Sequence, residues 1–361
     1  MTMKLMLVAG GKKGTHAVRW ANGLAEKGVD VHFVTQQKMF WNLDDRVCIY
    51  DLPYKGALGY FLNVFKIREV FKSINPDLVN VHYASGYGTL ARLARLKPVL
   101  LSVWGSDVYD FPNKSNIHER LLCRNLLYAD AIASTSESMA KYIKDRFDIY
   151  SHIYVTPFGV DVDFFKPCPN LETYPKEIVI GTVKTLSKKY GIDTLIRAFK
   201  VVCDNLSETY SLKLEITGDG PDRDELVELA ENLGVLDKVT FFGFLDKEGV
   251  LERINNMDIY AALSRLDSES FGVALLEASS CEKPLVVSDV SGPAEVVKDG
   301  ITGFVIPRNN SGLAAKKLIE LICDPDLRKK MGRLGRAHVC AKYSWDQSLN
   351  VMLNVYDKVV D

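Results

Sequence analysis

No apolar run in this 361-residue chain reaches the ~18 residues a helix needs to cross a bilayer. The opening MTMKLMLVAGG meets glycine too soon for a secretory signal and reads as a buried first strand. The seven cysteines (Cys48, Cys123, Cys168, Cys203, Cys281, Cys323 and Cys340) form no CxxC pair. That removes a zinc site and a disulfide framework, and it suits a reducing cytoplasm. Two nucleotide fingerprints are also missing. VAGGKKG after the first strand does not complete GxGxxG, and GxxxxGK followed by Ser or Thr does not occur. Nicotinamide and P-loop chemistry therefore lose their sequence support. A net charge of one sign is lacking too: the total is -1, and no nucleic-acid partner is expected. The charge is unevenly divided, however. Residues 1–166 carry 21 Lys+Arg against 16 Asp+Glu, and the remainder carries 24 against 30. The basic half would face an anionic substrate or a membrane surface, or simply carry unevenly solvated charge.

What is present is a repeated rhythm. The length favours two domains. KLMLVAGG, VDVHFVTQ, PDLVNVHYA, KPVLLSVWGSD and DAIASTSE read as strands separated by helical stretches; THAVRWANGLAEKG suits an amphipathic helix stopped by Gly28. EIVIGTV, LKLEITGDG, VTFFGF, DIYAALS, PLVVSD and GFVIP restart the pattern. Near-continuous apolar strands between helices predict parallel sheets covered on both faces. VTPFGVDVDFFKPCPNLETYPKE, with four prolines and a glycine, reads as the linker. The expected division is residues 1–168, residues 169–343, and a C-terminal helix over 344–361 that packs back on the first domain. Two doubly wound Rossmann-like domains would enclose a cleft lined by strand-to-helix turns.

Four of those turns carry chemistry. In SESFGVALLE, Glu269 and Glu277 are eight positions apart. Ser270 is the expected N-cap of a helix over 271–280, whose opening amides at Phe271, Gly272 and Val273 would receive anionic or oxygen-rich groups. Glu277 suits a vicinal diol; the plainer reading is an acid at a helix end and a salt-bridged glutamate. In TVKTLSKKYGID, Lys184, Lys188 and Lys189 precede a helix that starts near Ile192. They read as phosphate ligands or as solvated loop lysines. Gly10 and Gly11 permit close backbone approach after the first strand. Trp104, Asp107 and His82 end neighbouring strands and His16 lies beside the glycine turn, although a lone histidine is more often a satisfied core residue. GALGYFLNVFKIREVFKSI is a helical stretch that either packs on its own sheet or lies on a membrane surface.

Together these stretches resemble the family-4 retaining glycosyltransferases (group 1 glycosyl transferases) of the GT-B fold. ESFGVALLE, KPLVVSDVSGPAEVVKDGITGFVIP, PFGVDVDFFKP, ITGDGPDRDEL and VTFFGFL carry the resemblance over nearly the whole length. It implies that Glu269 binds donor-sugar hydroxyls, that the amides of Phe271, Gly272 and Val273 contact sugar and phosphates, and that Glu277 binds the ribose. It implies a basic pair on the diphosphate. Here Thr182 stands where arginine is usual, which leaves Lys184 and Lys189, with Lys188 an alternative. Gly10 and Gly11 would approach the distal phosphate or the acceptor. Trp104 replaces a frequent histidine and takes no proton, so Asp107, His16 and His82 are left to place donor or acceptor. The implied reaction is transfer of a sugar from a nucleotide diphosphate, UDP before GDP, to a hydroxyl of a saccharide or lipid-linked acceptor. No cofactor and no metal are expected. The resemblance places the reaction in polysaccharide, lipopolysaccharide or glycolipid assembly, in the cytoplasm or peripherally at the inner membrane face. A GT-B sugar-nucleotide epimerase would instead change a sugar stereocentre, and a non-catalytic sugar-nucleotide binding module would bind without turnover.

Overall fold

The computed structural model describes residues 2–10, 15–37, 43–149, 152–168 and 176–360. The chain forms two compact units, residues 1–157 with 348–361 and residues 158–347. In the first, β1 (Lys4–Val8), β2 (Asp30–Thr35), β3 (Cys48–Asp51), β4 (Leu78–His82), β5 (Val99–Val103), β6 (Ala131–Ser134) and β7 (Ile153–Val155) form a seven-stranded sheet in the order β3-β2-β1-β4-β5-β6-β7. In the second, β8 (Glu177–Val183), β9 (Ser211–Thr217), β10 (Val239–Gly243), β11 (Ile259–Ala262), β12 (Leu285–Ser288) and β13 (Gly303–Ile306) form a six-stranded sheet in the order β10-β9-β8-β11-β12-β13. Every strand pairing in both sheets is parallel. Helices cover the faces, so β4, β5 and β12 are buried along their whole length, as their apolar runs require. These are two Rossmann-like domains.

All eleven expected strands are present. β3 and β7 are additional: CIYD and IYV are short edge strands, partly exposed, and carry little apolar signal. Gly28, at φ 87°, ends the first helix as expected.

The division falls earlier than the proline content of the linker suggests. Residues 158–168 belong to the second unit because they are packed into it. Phe158 sets its ring 6.2 Å from that of Phe271, Phe165 is buried, and Val160 bridges Ser344. Arg336 and Ser280 donate to the Phe165 carbonyl. The linker prolines beyond Cys168, Pro169 and Pro175, lie outside the described residues. Residues 348–361 belong to the first unit: in the helix Trp345–Val360, Leu349, Met352, Val355 and Tyr356 are buried, and the Tyr356 hydroxyl donates to Asn80 Oδ1 on β4 at 3.0 Å.

Candidate functional site

In the second unit, β8 delivers Lys184 one residue past its end. The ladder to β11 stops at Gly181, and Tyr260 takes over from it. Its buried hydroxyl accepts from the Val183 amide at 3.2 Å and donates to the Val183 carbonyl at 3.1 Å. The strand end is thereby held where Lys184 Nζ reaches Glu269 Oε1 at 2.7 Å, with side chains only 7% and 11% exposed. Burial alone would lower the Lys184 pKa. The Glu269 carboxylate outweighs that, and the ammonium is held above its ordinary range. The Lys184 and Lys189 ammonium groups lie 5.4 Å and 5.2 Å from the centre of the Tyr190 ring, so the two cations share one aromatic neighbour.

Lys188 goes elsewhere. It is exposed and lines a shallow cavity of about 240 Å³ together with Asp193, Arg197 and Arg265. Lys184 is paired with the acid loop through Glu269.

That loop, residues 265–272, is tied down on both sides. The Arg265 amide donates to the Lys189 carbonyl at 2.8 Å, and its guanidinium binds Asp193 and Thr194. Asp267 accepts from the Ser291 amide and hydroxyl at 3.0 and 2.8 Å and from Arg308 at 3.2 Å. Arg308 also donates to the Arg265 and Asp289 carbonyls and to Asp289 Oδ1. A methyl group on Gly292 would lie 2.2 Å from the Ser270 carbonyl carbon, so only glycine lets the start of the helix Ser291–Val296 sit against the Ser270–Phe271 peptide.

The helix starts later than the sequence suggests. Gly272, not Ser270, is the N-cap, and the helix runs Val273–Ser280. Gly272 adopts φ 85°, which side chains disfavour and glycine does not. The reversal there turns Phe271 into the core, 2% exposed, with its ring 5.5 Å from that of Tyr343. Leu275 N–H is taken by the Gly272 carbonyl at 2.9 Å. The amides of Gly272, Val273 and Ala274 open the helix without a preceding turn to accept them. The Gly272 Cα faces Glu269: a methyl there would lie 3.6 Å from Oε1. Glu277 lies further along the same helix, half-buried and within electrostatic reach of the Tyr260 hydroxyl. Cation, carboxylate and helix start thus converge at the carboxyl ends of β8 and β11, where open parallel sheets bind ligands. The combination suits an anionic, hydroxyl-bearing ligand.

The first unit places its own group of residues at the ends of β4 and β5. Trp104 is the hub, with ring centres 4.8 Å from His82, 5.9 Å from His16 and 6.0 Å from Tyr83. Asn80 donates to the Leu100 carbonyl and to Ser102, so its Oδ1 accepts from Tyr356 and, at 2.9 Å, from His82 Nε2. His82 therefore carries its proton on Nε2, and Nδ1 is a buried acceptor with no hydrogen-bond partner among the described residues. Burial, and then the neighbouring His16, push its pKa down to about 3, so it is neutral. Asp107 is buried, and its carboxylate accepts from the amides of Ala84, Trp104 and Gly105 at 2.8, 3.0 and 2.9 Å. Burial raises its pKa, with those amides opposing. This carboxylate is committed to its own backbone and acts by holding the two turns together. Gly10 sits against the Gln37 side chain. Gly11 lies outside the described residues.

Sequence reasoning did not single out Tyr260, Tyr190, Arg265, Asp267 or Arg308. Arg308 lies two residues past β13 in GFVIPRNN, where a charge just beyond a strand end was the available signal.

Comparison with known proteins places this geometry. The model described as Glycosyl transferases group 1 matches residues 169–338, and that described as Glycosyl transferase 4-like matches residues 4–136. The chain is 25% identical to N-acetyl-alpha-D-glucosaminyl L-malate synthase of Bacillus anthracis, over 97% of this chain and 94% of that one. It is 29% identical to a GDP-mannose-dependent alpha-(1-6)-phosphatidylinositol monomannoside mannosyltransferase of Mycobacterium tuberculosis, over 71% and 68%. Anabaena HepE in complex with UDP and glucose shares the fold, with a TM-score of 0.78 and 17% identity over 99% of this chain and 100% of that one. With both units matched and the strand-end site in place, the chain belongs to the group 1 glycosyl transferases of the GT-B fold and is a glycosyltransferase.

Proposed function

We propose that the protein transfers a sugar from a nucleoside diphosphate donor, UDP before GDP, to a hydroxyl of a saccharide or lipid-linked acceptor, with retention of configuration. The observation that carries this reading is the nearly buried Lys184–Glu269 pair beside the Gly272 helix start. In the reaction the bond from the anomeric carbon to the diphosphate oxygen breaks, and a bond to the acceptor oxygen forms on the same face. The acceptor proton passes to a donor phosphate oxygen. Negative charge grows on the diphosphate, and Lys184, Lys189 and the amides of Gly272 and Val273 stabilise it. Glu269 accepts from sugar hydroxyls and Glu277 from the ribose. Lys184 has three N–H donors, so it serves Glu269 and a phosphate oxygen together. Neutral His82 and the Trp104 indole position ligand, and Asp107 holds the turns that present them. The reaction runs without a metal, since the ammonium groups supply the counter-charge.

UDP has the support of HepE, a neighbour in fold whose complex holds UDP. The GDP-mannose-dependent relative keeps GDP as the second candidate. The phosphatidylinositol monomannoside in that relative's name supports a lipid-linked or saccharide acceptor, reached by peripheral contact with the membrane. Among the described residues no helix is long and apolar enough to cross one. The test is a panel of UDP- and GDP-sugars, scored for thermal stabilisation and slow hydrolysis with chelator present. One sugar nucleotide should stabilise the protein and release free sugar in the alpha-linked series. Hydrolysis of none, or a donor recovered with a changed stereocentre, would overturn the assignment.

A further inference from the structure

The helical stretch after β3 presents two apolar faces, and only one is covered. Helices Gly56–Leu62 and Val64–Ile74 meet at Asn63. Helical bonding runs through the junction, from Asn63 N–H to the Gly59 carbonyl at 3.1 Å and from Ile67 N–H to the Asn63 carbonyl at 2.9 Å. At about 100° per residue, Ile67, Val70 and Ile74 share the inward face and are buried. Leu58, Phe61, Leu62 and Phe65 share the opposite arc, about 100° wide, and are 71%, 53%, 53% and 75% exposed. The sequence left open a stripe packed on its own sheet or one lying on a membrane surface. The structure divides the stripe, and four large apolar side chains within eight positions face outward.

The flank of this face is cationic. Arg68, one turn beyond Phe65, donates to the Leu93 and Ala94 carbonyls at 3.0 and 2.9 Å. Arg92 binds Asn125 at 2.8 Å, and Lys97 binds the Tyr128 carbonyl at 2.6 Å. Arg68, Arg92 and Arg95 all act on the Tyr128 hydroxyl, and Arg124 acts on Arg92. Within this group Lys97 pairs with Asp130 at 2.7 Å. Arg95 and Arg124 are exposed. On the apolar face itself, Glu69 is paired with Lys66 at 3.0 Å.

We infer that this face docks on an anionic lipid bilayer, with the four apolar side chains in the interface and the arginines on the headgroups. Apolar insertion flanked by uncompensated guanidinium charge is the arrangement such a surface rewards. A second copy of the chain would bring like charge against like. The inference rests on the membrane contact proposed above and names the surface that makes it.

The experiment is sedimentation of the full chain with vesicles of phosphatidylcholine alone and of phosphatidylcholine mixed with phosphatidylglycerol, at low and high salt. The wild type should pellet with the mixed vesicles and be released by salt. Arg95→Gln with Arg124→Gln should weaken that binding about fivefold per charge removed. Phe61→Ser with Phe65→Ser should abolish it, with urea midpoints confirming that both variants fold. No pelleting with mixed vesicles overturns the proposal, as does pelleting that neither variant changes. A concentration-dependent dimer, lost in the serine variant and unaccompanied by vesicle binding, overturns it in favour of a second copy. Donor hydrolysis measured without vesicles is independent of all three outcomes, so failure here leaves the donor site standing.

Discussion

Replacing Glu269 by glutamine separates sugar handling from diphosphate handling, because the two charges that make the site are each other's partner. At 2.7 Å and an effective dielectric of about 20, their gross attraction is about 6 kcal/mol. Breaking a buried pair on one side costs about 3–5 kcal/mol. Glutamine keeps a carbonyl acceptor for Lys184, and a hydrogen bond to a charged group retains about 1.5–3 kcal/mol of that. The variant should therefore lose about 2 kcal/mol of stability. The ammonium it leaves under-compensated is the group a diphosphate needs, and the carboxylate that repelled the diphosphate is gone. UDP or GDP should bind Glu269→Gln about tenfold tighter than wild type, a recovery of about 1.4 kcal/mol. Turnover should fall about 100-fold, since sugar hydroxyls lose a charged acceptor. Titration calorimetry with each nucleotide, beside chromatographic detection of the transferred or released sugar, reads both quantities. Weaker nucleotide binding in the variant, or turnover at the wild-type rate, would refute the shared-ammonium reasoning.

Further predictions follow from neighbouring groups. Lys184→Met should weaken UDP at least about tenfold at both low and high salt, because a nearly buried charge is poorly screened; exposed Lys188→Met should shift binding about twofold and only at low salt, by the same calorimetry. Arg308→Gln releases the Asp267 loop from β12 and β13 and should lower kcat about tenfold while nucleotide affinity stays within about twofold; equal losses in both would mean the residue only stabilises the fold. Gly272→Ala forces a side chain into φ 85° and its methyl to 2.9 Å from Leu275 Cδ1, at a cost of about 1–2 kcal/mol in urea unfolding. His82 titrates near 6.5 when unfolded and at about 3 when folded, so the unfolded state binds the extra proton between those values. Stability is then fully present above pH 6.5 and falls as pH drops, by about 2 kcal/mol at pH 5. Melting curves of His82→Gln should lose that slope.

Much of this architecture was legible because parallel strands buried on both faces must be written as continuous apolar runs, and VLLSV and LVVS are. CIYD was not legible, since an exposed edge strand carries no such run. In the site, the positions of Glu269, Gly272 and Lys184 were readable from turns at strand ends. The cap was misplaced by two residues because Ser270 has a capping side chain but its peptide is packed against Gly292, in a helix about twenty residues further along the chain. Asp107 read in sequence as a group that places donor or acceptor, and only the fold brings the three amides that occupy it together. Long-range clamps such as Arg308 on Asp267 have no local pattern and are invisible until the strands are side by side.

The return of residues 348–361 to the first unit bears on how the molecule is made. During synthesis the strands of the first sheet emerge early, yet Asn80 waits for Tyr356 until the entire second unit has left the ribosome. The intervening unit can complete its own core meanwhile. The half translated first is therefore the half finished last, and a chain cut just before Ser348 would strand it with an open seam beside β4.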